Sequence, residues 1–350
     1  MTRPIGYYVH HQGAGHWQRA VALAGALRTL GRPCTLMGTF SDVDTTGAPG
    51  PVIDLPDDRL AGAFDGRDGT ASRPDALHYA PLDHAGVRAR MGRIAAWATE
   101  ANPALLIVDV SCEVALFARL LSVPSLVVRL SGSRTDTPHL EAFRAASRLL
   151  APFPQALDGG DVPDWVRDKT IFSGFLGAEP APARPEDGRI VVVFGRGGEG
   201  GDRARLCEAA AAVPKRDWHV LGPVSGSGPL PKNLPKNLHL HGWVGDVRPH
   251  LAPAGLVVGG AGDGLVTAVA AEGKRFLCLP EPRAYGEQEA KAEGLARLGA
   301  AIVHAGWPEA GAWPGLIAQG LALDPARIRA LAEPDALHRT AAAIEALCRG

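Results

Sequence analysis

VVGGAGDGLVTAVAAEGKRFLCLPEPRAYGEQEAKAEGLARLGAA, Val257–Ala301, holds the clearest structural signal in the chain. An apolar strand ends at Gly259, and Gly260, Gly262 and Gly264 then open a helix. Glycines at that junction let the backbone turn tightly and leave the first N–H groups of the helix facing outward, where an anion can sit. A second short strand, RFLCLPEP, follows, then Arg283, Tyr285, Glu287 and Gln288 at the start of a second helix, GEQEAKAEGLARLG. A carboxylate and an amide side by side at a helix start suit vicinal hydroxyls. The plain alternative is a first-turn glutamate complementing the helix dipole.

The same alternation runs outward in both directions. Upstream, IGYYVHH reads as a strand and HWQRAVALAGALRTLG as a helix closed by Gly31, followed by the strand PCTLMGTF. VRARMGRIAAWATEAN is a helix, ALLIVDVS a strand, EVALFARLLSV a helix and PSLVVRLSG a strand. Ala48 to Leu77, rich in Gly, Pro and Asp, reads as a loop excursion. After Gly188 the rhythm restarts with the strand RIVVVFG, the helix DRARLCEAAAAV and the strands DWHVLG, LHLHGWV and AGLVVGG. Strands alternating with helices predict βαβ units and buried parallel sheets. The expected fold is therefore α/β, with two tandem Rossmann-like doubly wound domains facing a cleft. Residues 1–176 form the first, 177–188 a Pro-rich linker, 189–325 the second, and 326–350 a helical tail that packs back on the first. In open parallel sheets ligands sit beyond the carboxyl ends of the strands, so the chemistry belongs in the loops that follow them.

Composition narrows the classes of function. A net charge of −1, without clustered Lys or Arg, argues against a nucleic-acid partner. The five cysteines are scattered, with no CxxC pair, which suggests neither a disulfide framework nor a cysteine zinc site. No secretory leader is legible and no run of about 18 apolar residues occurs, so no membrane span is expected. A cytoplasmic protein is the simplest expectation. Peripheral membrane contact stays open, and nothing here fixes the oligomeric state.

The remaining motifs follow strands. In HHQGAGHWQRA, His10–Ala20, Gly13 and Gly15 turn the chain into a helix beginning near His16. A histidine there sits at the mouth of the site with a near-neutral pKa, as a general base needs; a bland turn is the alternative. The dinucleotide fingerprint fails, because Gln18 stands where its third glycine would be. His10 and His11 are adjacent and should point to opposite strand faces, a poor metal arrangement. In LLIVDVSCEVA, Asp109 ends a buried strand and can orient a histidine from a neighbouring loop, or Asp109 or Ser111 caps the next helix. In RLSGSRTD, Arg134 meets a phosphate or acceptor, or is a plain surface arginine. In VFGRGGEGG, Gly195, Arg196 and Gly197 either approach a ligand closely or form a flexible loop.

GAGDGLVTAVAAEGKRFLCLP followed by GEQEAKA resembles the donor-binding signature of two-domain nucleotide-sugar glycosyltransferases of the GT-B fold, closest to glycosyltransferase family 28 and its peptidoglycan N-acetylglucosaminyltransferase. GAGHWQRA is similar to that family's N-terminal glycine loop ending in histidine, and HGWV, His241–Val244, sits where its backbone reads the base. The resemblance covers essentially the whole chain. It implies an inverting, metal-independent transfer from a nucleoside-diphosphate sugar, a UDP, dTDP or GDP donor, to an acceptor hydroxyl, without a cofactor. His16 is then the base and Asp109 its partner, with Gly13, Gly15 and Arg134 on the acceptor side. Gly195, Arg196, Gly197, Gly260, Gly262, Asp263, Gly264 and Arg283 line the donor diphosphate, Trp243 and Val244 flank the base, and Glu287 and Gln288 hold the sugar hydroxyls. Two departures stand out. Ala268 occupies the position of an acidic ribose ligand, and Asp263 sets a negative charge at the phosphate site unless Arg283, Arg196 or a metal offsets it. A sugar-nucleotide hydrolase or 2-epimerase, and a non-catalytic sugar-nucleotide binder, are the alternatives on this fold.

Overall fold

The computed structural model describes residues 2–11, 14–59, 74–159, 161–195, 198, 200–226 and 234–349. They pack as two compact units, one made of 1–153, 160–176 and 335–350 and the other of 154–159 and 177–334.

The first unit is built on a seven-stranded sheet. Its strands are β1 (Ile5–Tyr8), β2 (Cys34–Gly38), β3 (Val52–Asp54), β4 (Leu105–Asp109), β5 (Ser125–Val128), β6 (Arg148–Ala151) and β7 (Thr170–Phe172), in the order β3-β2-β1-β4-β5-β6-β7. Every described pairing is parallel. The connecting helices are α1 (Ala14–Thr29), α2 (Ala85–Ala101), α3 (Cys112–Leu120), α4 (Thr137–Ala145) and α5 (Asp164–Lys169). Covered on both faces, β1, β4 and β5 are buried at every position, which is why they read as continuous apolar runs. Alternate residues of β1 feed two cores. Ile5 and Tyr7 join Leu23, Leu27 and Ile107 on one face, and Tyr8 joins Ile94, Val108 and Val127 on the other.

The loop expected at Ala48–Leu77 contains a strand. β3 pairs with the edge of the sheet, Leu36 opposite Val52. Three residues after a proline are too short to show a period of two, so only the neighbouring strand identifies them. Residues 60–73 of that stretch lie outside the described residues.

The second unit repeats the plan. β8 (Arg189–Val193), β10 (Trp218–Leu221), β12 (Leu238–Gly242), β13 (Ala254–Gly259), β14 (Phe276–Cys278) and β15 (Ile302–Val303) form a parallel six-stranded sheet in the order β12-β10-β8-β13-β14-β15. Beside it, β9 (Gly201–Asp202) and β11 (Val224–Ser225) make a small pair. Its helices are α6 (Arg203–Ala212), α7 (Arg248–Leu251), α8 (Asp263–Glu272), α9 (Glu287–Arg297), α10 (Trp313–Leu321) and α11 (Pro325–Arg329). In both sheets the first strand of the unit is central and the order reverses beside it, between β1 and β4 and between β8 and β13. That reversal is the switch point where doubly wound sheets bind ligands.

The last helix, α12 (Ala336–Leu347), returns to the first unit. Ala341 and Ile344 enter the core around Ile5 and Leu27, and Arg32 donates Nε and Nη2 to the Glu345 carboxylate at 2.6 and 2.7 Å. Residues 326–334 of the expected tail instead pack with the second unit, as do 177–188.

Candidate functional site

In the first unit the site starts from strand order. β1 and β4 are hydrogen-bonded neighbours, so the residues beyond their carboxyl ends are delivered side by side. α1 begins at Ala14, two residues before His16, and Arg19 lies three residues further along the same helix face. Asp109, fully buried at the end of β4, faces both. His16 Nδ1 is 3.0 Å from Asp109 Oδ1. Arg19 Nη2 is 2.9 Å from that same oxygen and 2.9 Å from His16 Nδ1, which closes a triangle of imidazole, carboxylate and guanidinium. The Tyr7 hydroxyl donates to Asp109 Oδ2 at 3.4 Å. Burial alone would raise the Asp109 carboxyl, but Arg19 and then His16 overcome it and hold the group well below the usual carboxylate range. The next residue, Val110, has φ of +59°, a left-handed conformation that a β-branched side chain rarely takes. Strain of this kind costs about 1–3 kcal/mol and collects at functional sites.

The expected opposition of His10 and His11 is corrected. Their rings stack with centroids 4.6 Å apart, and His10 lies 5.4 Å from His16. Both residues come after β1 has ended, so the alternation of a strand no longer governs them. Burial, then the neighbouring His16 and His11, pushes the His10 imidazole well below its ordinary pKa.

Of the two caps considered for α3, Ser111 is the one formed, accepting the Val114 N–H at 3.2 Å. Arg134 turns inward. Its Nε donates to the carbonyls of Leu130 and Ser131, and Nη1 lies 3.2 Å from His139 Nε2. Asp136 accepts from His139 Nδ1 at 2.7 Å and from His78 Nε2 at 2.8 Å. His78, His139 and Cys112 bring ligand atoms within 4.8 Å of one another. The Arg134 guanidinium beside His139 opposes a cation there, and burial pushes the Cys112 thiol well up, against the thiolate a metal needs.

In the second unit the candidate site surrounds the N-terminus of α8. Gly262 caps that helix with no side-chain bond, and Asp263 is its first residue. Among the described residues, a Cβ at Gly15, Gly195, Gly262 or Gly264 would meet nothing within 4 Å, so these glycines leave space beside the backbone. Gly260 is different, because a Cβ there would come 2.8 Å from Gln288 Oε1. Gln288 is buried, and Oε1 accepts the Ala261 N–H at 2.9 Å and the Glu281 N–H at 3.0 Å. That oxygen ties the turn before α8 to the loop after β14 and is occupied by backbone. Glu287, the first residue of α9, is half-buried. Tyr285 takes φ of +63° in the same loop, a second strained residue without a glycine.

The charge at Asp263 has a partner that the sequence reading missed. Fully buried Lys291 donates Nζ to Asp263 Oδ1, whereas Arg283 pairs with Glu281. Lys291 is four residues past Glu287 and three past Gln288, on one helical face, and that spacing was the available signal. The Glu281 carboxylate also approaches Gly198, where a Cβ would meet Oε1 at 2.5 Å. Trp243 is 52% exposed after β12, Val244 is half-buried, and Ala268 is buried on α8. Gly13, Arg196 and Gly197 lie outside the described residues.

No protein-family model matches the chain, and no curated protein matches it in sequence. Solved structures do match its shape along the whole length. MurG of Acinetobacter baumannii is 16% identical with a TM-score of 0.67, covering 98% of this chain and 99% of its own. The spinosyn rhamnosyltransferase SpnG complexed with thymidine diphosphate is 20% identical with a TM-score of 0.66, covering 98% and 99%. The glycosyltransferase VinC in complex with dTDP is 16% identical with a TM-score of 0.68, covering 99% and 100%. The chain has the fold of these two-unit α/β proteins, the GT-B fold.

Proposed function

We propose that this protein is a glycosyltransferase that moves a sugar from a nucleoside-diphosphate donor to an acceptor hydroxyl, with inversion and without a divalent cation. One observation carries the reading: His16 and Asp109 stand 3.0 Å apart beyond the central strands of a whole-length glycosyltransferase fold. When Nδ1–H of His16 donates to Asp109, the lone pair on Nε2 is the basic site, and the carboxylate stabilises the imidazolium formed as the acceptor hydroxyl loses its proton. The acceptor oxygen then attacks the anomeric carbon while the bond to the diphosphate oxygen breaks. Backbone amides at the start of α8 meet the charge growing on the leaving diphosphate. Lys291 offsets Asp263, which removes the need for a metal to do so. Glu287 is the residue for the donor sugar hydroxyls, and Trp243 and Val244 flank the base. Gln288 supports the donor turn through the backbone. The five cysteines are free thiols, in keeping with a cytoplasmic, reducing compartment. Among the described residues no helix is long and apolar enough to cross a membrane.

SpnG and VinC were solved with thymidine diphosphate, so dTDP-sugars head the donor panel, followed by UDP- and GDP-sugars. A bound donor raises the melting temperature. With a responsive donor and an acceptor panel, His16→Ala should lower turnover by about 10²–10⁴-fold, the usual worth of a general base, and leave the donor-induced shift in place. Unchanged turnover removes His16 from the reaction. Nucleoside diphosphate released at full rate without an acceptor would favour the hydrolase instead.

A further inference from the structure

Four histidines gather at the edge of the second sheet, and one of them, His241, lies two residues before Trp243. β10 and β12 pair in parallel with His219 opposite His239, and His241 follows two residues on, on the same face. The register slips between Val220 and Leu221, so that Leu240 faces Val220, Gly242 faces Leu221 and His241 is the extra residue. Bulges re-aim side chains. This one brings His241 Nε2 to 3.0 Å from His219 Nδ1. The ring centroids of His219 and His239 are 4.8 Å apart, and those of His241 and His250, on α7, are 5.2 Å apart. The result is a partly exposed row of four imidazoles, His239–His219–His241–His250.

We propose that His219 and His241 chelate a divalent transition-metal ion of the Zn²⁺, Ni²⁺ or Cu²⁺ class, with water completing the coordination. The spacing fits. Two metal–nitrogen bonds of about 2.0–2.1 Å, meeting at an angle between a right angle and a tetrahedral one, span roughly 2.9–3.4 Å. Neutral imidazole is the ligand these ions prefer among nitrogen and oxygen donors. Burial first, with Arg189 and the other histidines, lowers the pKa of His219, and burial with His250 and His239 lowers that of His241, which favours the neutral form at these two rings. A metal there takes the place of the proton that bridges the two ring nitrogens. Arg189, whose charge acts on both His219 and His241, is itself held in a bidentate pair with Asp187, so it does not repel the ion unopposed. The Asp217 carboxylate, 3.8 Å from His239 Nε2, adds a negative charge on the outer side.

The test is a Zn²⁺ titration of the full chain at pH 7.5 against a chromophoric chelator, comparing the parent with His241→Ala and His219→Ala. Each substitution should weaken one equivalent of Zn²⁺ by about tenfold or more and leave any other equivalents unchanged. His241 is exposed, so its variant keeps the test valid should His219→Ala not fold. Crystals soaked in Zn²⁺ should show an anomalous peak between His219 Nδ1 and His241 Nε2. Unaltered Zn²⁺ affinity in His241→Ala, or a peak only at His78–Cys112–His139 or at His10–His11–His16, overturns the assignment.

Discussion

Asp109 shows how much one residue can be asked to hold. It is fully buried and its charge is kept by Arg19 and His16 together, so neither partner is dispensable to it. Asp109→Asn keeps the shape but takes the buried negative charge away from the part-buried Arg19 guanidinium. Breaking such a pair costs about 3–5 kcal/mol, readable as a lower urea midpoint at unchanged slope. Turnover should fall with it, because the imidazole loses its orienting acceptor. His139 gives a pH signature of its own. Burial first, then Arg134, against the opposing pull of Asp136, lowers its pKa from 6.5 to about 4. The folded state therefore keeps the ring neutral, while the unfolded chain takes up a proton below pH 6.5. Stability is full above pH 6.5 and declines as the pH falls toward 4, by roughly 3 kcal/mol for this group. Denaturation series from pH 7 to 4 should show that slope, and His139→Gln should reduce it, leaving the shares from the other histidines with lowered pKa, His10, His11, His219 and His241.

At the scale of elements, the donor side depends on loops being tied to one another. Gln288 Oε1 serves two backbone donors from different turns, one before α8 and one after β14. Gln288→Ala leaves both without an acceptor at about 1–3 kcal/mol each, and Gln288→Glu, which keeps an oxygen there, should recover most of the loss. Melting curves of both variants, with and without nucleoside diphosphate, separate stability from binding: the Ala variant should lose both, because the amides at the start of α8 are no longer held. The glycine turn itself was legible from the sequence, since strand, glycines and helix follow one another in Val257–Ala301. The role of Gln288 was not. A side chain that caps two loops looks, in one dimension, the same as one that faces a ligand.

At the scale of the molecule, the chain crosses between its two units more than once. Residues 154–159 pack with the second unit and 335–350 with the first. α12 fills a gap in the core of the first unit, with Ile344 fully buried and Arg32 gripping Glu345. Ile344→Ala should cost about 2–5 kcal/mol. Hydrogen exchange should show the loss across β1, β2 and α1 and leave the second unit protected, although the substitution lies at the far end of the sequence. Uniform deprotection of both units would argue against this division.

The sequence by itself determined the α/β class, the two repeats of strand, glycine turn and helix, and the positions of His16, Asp109 and Asp263 at the ends of strands or the starts of helices. Those features are local: hydrophobic period, glycine placement and helix start all act within a few residues. Tertiary structure alone decided that Arg19 completes the His16–Asp109 pair, that Lys291 answers Asp263, that His10 and His11 stack, and that a bulge turns His241 toward His219. Each of those contacts joins different elements or follows the end of one. Its geometry comes from which strands are neighbours and where a strand stops, and no local period encodes that.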